Sequence, residues 1–186
     1  MKYNRKYLGA ALRLMQRGSL YRHVMGFIIQ KGLTIREADE ADKLKVDLWI
    51  NPKGYISKAG HQNQNVTEFV AYCFGYLAGR VQLVRYSSEN KPYSGYWLWG
   101  LAVKSQFKGG GIGEKLSQEV ILKASTEGSK TLDLLVFNNN VPALQLYRKL
   151  GFVHYVIPGL EEQLQAQPTQ NGHRHVVMRK LIGHFQ

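Results

Sequence analysis

The chain has 186 residues, a formal net charge of +12, and 44% hydrophobic and 11% aromatic residues. That length suits one domain with a sizeable core. No run of 18 residues is both apolar and uncharged, which excludes a spanning helix on sequence grounds. The single cysteine, Cys73, has no internal disulfide partner, and a reducing, cytoplasmic setting is expected.

Residues 4–17 read as an amphipathic helix, with Leu8, Ala11, Leu12 and Met15 on one face and Lys6, Arg13 and Arg17 opposite. Gly18 interrupts it, and a second apolar stretch runs from Leu20 to Ile29 and ends near Gly32. Arg13, Arg17 and Arg22 break every apolar run that could act as a signal-peptide core. Residues 1–36 hold eight Lys/Arg and no acid, against 17 basic and 13 acidic residues in the rest. Residues 1–32 are therefore read as a basic arm and 33–186 as the domain proper. Such an arm suits an anionic partner, and equally a solvated helical face.

The segment Leu33–Arg36 predicts a strand and Glu37–Trp49 a helix with Leu44, Leu48 and Trp49 facing inward, stopped by Asn51, Pro52 and Gly54. Residues 57–65 are polar and read as a loop or short helix. Residues 68–74 and 77–86 predict a hairpin around Gly75. A loop at 87–95 precedes a strand at 96–104. Ile112, Leu116, Val120 and Ala124 recur every four residues, predicting a helix over 112–126 closed by Gly128. Thr131–Phe137 predicts a strand, and Val141–Leu150 a helix with Pro142 in its first turn and Gly151 at its end. Phe152–Ile157 predicts a strand, 158–173 an insertion or mobile loop, and 175–181 a final strand.

The most informative stretch is Leu101–Leu116, a strand, a glycine-rich turn and a helix. Glycines let backbone approach a ligand closely. The first N–H groups of the helix lack internal partners and carry the positive end of its dipole, so the turn is an anion site suited to a pyrophosphate. On its own it also reads as a tight strand-to-helix turn. A Walker loop fails because Glu114, not Lys, follows Gly113. The dinucleotide fingerprint fails because it needs Gly or Ala at 114.

The run Lys108-Gly109-Gly110-Gly111-Ile112-Gly113 resembles the acetyl-CoA loop, Arg/Gln-x-x-Gly-x-Gly/Ala, of the GNAT superfamily of N-acetyltransferases. Lys108 keeps the charge of the usual first residue but not its planar fork. About 25 residues on, Val136, Asn140, Ala143, Leu146, Tyr147, Lys149, Gly151 and Phe152 resemble the family's next strand and helix. The resemblance covers roughly residues 33–182 and leaves the arm outside.

It implies an α+β fold, a mixed, mostly antiparallel sheet of six to seven strands flanked by helices, with a splayed strand pair holding the cofactor. It implies that acetyl-CoA pairs with the backbone of Leu101 and Val103, that its pyrophosphate lies on the amides of Gly109, Gly110, Gly111, Ile112 and Gly113 beside Lys108, and that Asn140 binds near the thiol. Tyr147 would serve as general acid to the departing thiolate when a primary amine attacks the thioester. By packing alone Tyr147 reads as a core tyrosine beside Leu146 and Leu150. A non-catalytic acyl-CoA-binding regulatory module on the same fold is the alternative.

Glu68, Glu89, Asp133 and His154 are the candidates for the base that takes the amine's proton. Tyr96, Trp97 and Trp99 either line the acceptor pocket or pack the strand. His173 and His175 lack a third ligand and are read as surface residues, so no metal is expected. Cys73, in an apolar strand, is read as inert. The expected partner is a small-molecule or peptide amine. The arm could lie on an anionic membrane at the inner face, on its own domain, or on a second subunit of a homodimer. Nucleic acid is disfavoured because aromatic residues are not interleaved with the charges.

Overall fold

The computed structural model describes residues 26, 27, 29, 31–51, 65–166 and 172–183. The helix expected at 4–17 and most of the loop at 57–65 lie outside them. Seven strands, β1 (Leu33–Glu37), β2 (Val66–Cys73), β3 (Tyr76–Tyr86), β4 (Gly95–Val103), β5 (Thr131–Phe137), β6 (Val153–His154) and β7 (His175–Leu181), form one sheet in the order β1-β2-β3-β4-β5-β7-β6. Only β4 and β5 run parallel; the other neighbours are antiparallel. The helices are α1 (Glu40–Ile50), α2 (Ile112–Thr126), α3 (Val141–Lys149) and α4 (Leu160–Ala166). This is the mixed, mostly antiparallel sheet of six to seven strands that the family resemblance implies.

The four-residue spacing of Ile112, Leu116, Val120 and Ala124 puts all four on the sheet side of α2, at 0–1% exposure. They join the main core with Ala78, Val81, Leu83, Leu98, Leu132, Leu134, Tyr147 and Phe152. Burying each Ile, Leu or Val contributes about 1.5–3 kcal/mol, so this face fixes α2 and the glycine turn at its start. The opposite sheet face carries two smaller apolar clusters. Val46, Val70 and Leu77 lie with Trp49 and Tyr72 beneath α1. Trp97, Leu160, Leu164 and Val177 lie with Trp99 and Leu135 beneath α4.

Three elements differ from expectation. In α1, Leu44 and Leu48 are 47% and 53% exposed, while Asp42 and Val46 are buried and Trp49 is half-buried. The buried Asp42 carboxylate sets the rotation. It pairs with Arg36 at 2.6 Å, accepts from the Tyr72 hydroxyl at 2.6 Å, and accepts from the Asp39 amide in a capping box that starts the helix at Glu40. A buried charge must keep such partners, so it outweighs two leucines. Second, 158–173 contains α4, whose Leu160 and Leu164 are buried one turn apart. Third, the strand expected at 152–157 shrinks to β6, because Phe152 turns into the main core.

Gly26, Phe27, Ile29 and Lys31 are helical, and Ile29 is only 4% exposed. Its carbonyl accepts from the Cys73 thiol at 3.9 Å, so the end of the arm sits in the main core. No helix among the described residues is long and apolar enough to cross a membrane.

Candidate functional site

Strands β4 and β5 pair only at Trp97–Asp133 and Leu98–Leu134. Beyond Leu98, β4 continues to Val103 and β5 to Phe137 without pairing, so the two splay apart. A bulge drives the divergence. Gln82 pairs with Trp99 but Arg80 with Ala102, which leaves an extra residue in β4, and Gly100 there has φ +59°. The positive φ favours glycine there, and a Cβ would stand 2.5 Å from Nη1 of the Arg80 side chain.

At the end of β4 the Lys104 amide donates to the Ala78 carbonyl at 2.8 Å. A short 3-10 turn, Ser105–Phe107, then leads to the glycines. Gly111 is the N-cap of α2 with φ +81°, and no side chain caps the helix. The Lys115 amide reaches the Gly111 carbonyl at 3.1 Å. The amides of Ile112, Gly113 and Glu114 precede that bond and have no acceptor within the helix. They form the anion-binding end of α2. The Ile112 side chain is fully in the core, so only its backbone faces the turn. Lys108 and Gly109 are exposed at the entrance, and Gly110 is buried against Ile29.

A Cβ at Gly113 would lie 3.5 Å from Leu146 and 3.8 Å from Leu101 and Val103. The structure thus brings Leu101, Val103 and Gly113 around one space between β4, α2 and α3. Leu146 is a fourth wall that the sequence reading named only as a motif position. Glu114, in the first turn of α2, is paired with Lys149 of α3 at 2.6 Å. That pairing removes an uncompensated negative charge from beside the anion site.

Helix α3 is capped by Asn140, whose Oδ1 accepts from the Ala143 amide at 3.3 Å. The exposed Asn140 therefore already holds the start of the helix that carries Tyr147. Tyr147 is 6% exposed, edge-on to Phe152 at 5.7 Å between ring centres. Burial pushes its phenol up to about 12, so it stays protonated at neutral pH.

The four candidate bases separate clearly. Asp133 is 2% exposed and held in a bidentate pair by Arg179, at 2.6 and 2.7 Å. Glu89 is exposed in the loop after β3, and His154 is exposed on β6, beyond β7 from the splay. Glu68 is buried in β2, and its Oε1 lies 3.4 Å from both Gln82 Nε2 and Arg80 Nε. Its cross-strand row, Glu68–Gln82–Trp99, ends at the mouth of the splay.

Of the candidate aromatic residues, Tyr96 joins the main core on the α2 face. Trp97 is fully buried under α4 and donates to the Tyr93 carbonyl at 2.6 Å. Only Trp99 is half-exposed on the face opposite α2. His175, expected on the surface, is half-buried and stacked on Phe137 at 3.9 Å, and burial lowers its pKa. Cys73 is buried, and burial raises its thiol pKa, consistent with an inert role.

A family model described as the acetyltransferase (GNAT) family matches residues 34–152. Solved structures share the fold. The ribosomal-protein-S18-alanine N-acetyltransferase from Escherichia coli is 21% identical, with a TM-score of 0.63 over 83% of this chain and 96% of its own. The ribosomal-protein-alanine N-acetyltransferase from Brucella melitensis is 21% identical, with a TM-score of 0.64 over 80% and 99%. A Salmonella typhimurium chain described as an acetyltransferase, solved with its cofactor acetyl-CoA, is 17% identical, with a TM-score of 0.62 over 81% and 94%. Among curated proteins, none matches.

Proposed function

Because the chain belongs to the acetyltransferase (GNAT) family, we propose that it is an N-acetyltransferase that moves the acetyl group of acetyl-CoA to a primary amine. The uncapped, glycine-bounded start of α2, beside the strand β4 that has left β5, carries this reading. Acetyl-CoA supplies an activated thioester, and the chain's own residues bind and orient it. The amides of Gly109, Gly111, Ile112 and Gly113, with Lys108, hold its pyrophosphate, while that of Gly110 already donates to the Phe107 carbonyl at 3.4 Å. Leu101 and Val103 offer backbone pairing where β4 has left β5. To Asn140, at the start of α3, this reading assigns the thiol end.

The amine attacks the thioester directly, and Tyr147 supports the departing sulfur. Its pKa of about 12 exceeds that of an ordinary thiol, about 8.5, so the phenol acts by donating a hydrogen bond rather than by giving up its proton outright. Glu68, with the Gln82 amide beside it, is the acid best placed to receive the amine's proton through water. The second reading, a non-catalytic acyl-CoA-binding module, draws on the lack of any acid in β4.

The test is acetyl-CoA affinity in Gly113→Glu, measured by calorimetry. The new side chain would start in contact with Leu146, Leu101 and Val103, at 3.5–3.8 Å, and extend beside the start of α2. We expect affinity to fall at least ~10-fold, since the substitution adds both bulk and negative charge at an anion site. Unchanged affinity in a folded variant would refute the assigned cofactor site. Thiol release that depends on an added amine separates the enzyme from the binding module.

A further inference from the structure

Resting on that reading, we infer that the acceptor amine carries a carboxylate beside its nitrogen, and that Arg80 recognises it. Arg80 projects from β3 onto the face opposite α2, with its side chain 14% exposed. Its Nη1 occupies the position beside Gly100 that a Cβ there would crowd at 2.5 Å, two residues past the last β4–β5 pair. The guanidinium therefore sits at the mouth of the splay, where the acetyl group would be presented.

Its donors are poorly used. Nε approaches Glu68 Oε1 at 3.4 Å without forming a hydrogen bond, and Nη1 has no hydrogen-bond partner among the described residues. The indole N–H of Trp99, on the same face, is buried and unpartnered too. Leaving a buried donor unpaired costs about 1–3 kcal/mol, more when it is charged, and folded proteins rarely tolerate it. Three buried donors without hydrogen bonds, beside a bulge whose positive φ favours glycine, mark a place where a ligand supplies the acceptors. Arg80 stays charged, although burial lowers its pKa against the opposing pull of Glu68 and Asp47. A planar guanidinium fork matches a carboxylate.

The surrounding charges fit such an acceptor. Glu68 and Asp47 bring negative charge close to Arg80. Lys104, on the same side, lies over the Trp49 ring at 5.1 Å. Both signs thus stand side by side on the floor between α1 and α4. An amino carboxylate presents the complementary pair, its nitrogen toward Glu68 and its carboxylate toward Arg80. A simple amine would leave all three donors without an acceptor.

The experiment compares α-amino acids and β-alanine with their carboxamides as acceptors, following thiol release from acetyl-CoA. At neutral pH the carboxamides hold more free amine, so the bias runs against the expected result. We expect at least one carboxylate to exceed its carboxamide by ~10-fold or more in kcat/KM, because a site built to bind an oxyanion rejects the analogue lacking it. The difference should lie mainly in KM. In Arg80→Gln that ratio should fall to near one while acetyl-CoA affinity is unchanged. If Arg80→Gln does not fold, Arg80→Lys, which keeps the charge but loses the fork, should still cut the ratio several-fold. The inference is overturned if carboxamides match or exceed carboxylates throughout, if the ratio survives both variants, or if no member of the panel is acetylated by protein that binds acetyl-CoA. Failure of the native chain to bind acetyl-CoA would instead remove the donor-site reading, and this inference with it.

Discussion

At the scale of the residue, burial fixes the protonation of Tyr147, on which its proposed role depends. Held at about 12, its phenol is a dependable donor across the neutral range and a poor source of protons. Tyr147→Phe should lower kcat by about 10²-fold, the usual effect of removing one well-placed donor, and leave acetyl-CoA affinity intact. The same burial makes a stability prediction. The folded pKa lies above the unfolded value near 10, so the folded state holds its proton more tightly. That contribution is fully present below pH 10 and is lost as pH rises toward 12, by roughly 3 kcal/mol at the end. Urea unfolding of native protein and Tyr147→Phe at pH 9 and pH 11.5 should show the extra alkaline loss in the native chain only. Tyr147 could be proposed from its motif because the residues that single it out lie within a few positions of one another. The contacts among Arg80, Glu68 and Gly100 were not. They depend on strand register and on one bulge between β3 and β4, and strand alternation alone reveals neither.

At the scale of the element, α2, β5 and β7 were legible to within a residue, since their apolar spacing agrees with the face each one buries. The exceptions have physical causes. Helix α1 is rotated by a buried carboxylate, Asp42, which a count of leucines cannot weigh. Helix α4 offers only Leu160 and Leu164 within a polar stretch, and two apolar positions do not make a period. The start of α3 is the element most exposed to test. Removing the Asn140 cap in Asn140→Ala should cost about 1 kcal/mol and loosen the helix that presents Tyr147. Asn140→Asp retains a cap of similar strength. If it keeps the melting temperature yet weakens acetyl-CoA binding, the side chain touches the cofactor as well as its own helix. If affinity tracks stability in both variants, capping is its whole contribution.

For the whole molecule, labour is divided between the basic arm and the domain. Ile29 lies in the main core, against Cys73 and Gly110, so the arm's charge and its anchoring point are separable. We propose that the charge, carried mostly by residues before 26, draws the chain to anionic membranes. A chain beginning at Gly26 keeps the anchor and loses six of the eight basic residues of 1–36. Full-length protein should co-sediment with vesicles rich in phosphatidylglycerol at low salt, and the shortened chain should not. Equal partitioning of the two would assign the arm to packing or self-association.

The divergence of β4 from β5 leaves a sheet with an edge in its middle. Peptide groups from Trp99 to Val103 that point toward β5 meet no strand there. Unpaired strand edges recruit other chains unless they are protected, and here the bulge at Gly100 and the interior position do the protecting. Such amides should exchange with deuterium far faster than those of Trp97 and Leu98 one turn of the pleat away. Bound acetyl-CoA would slow them as a strand would. The gap thus provides a readout of donor binding in which no acceptor is needed.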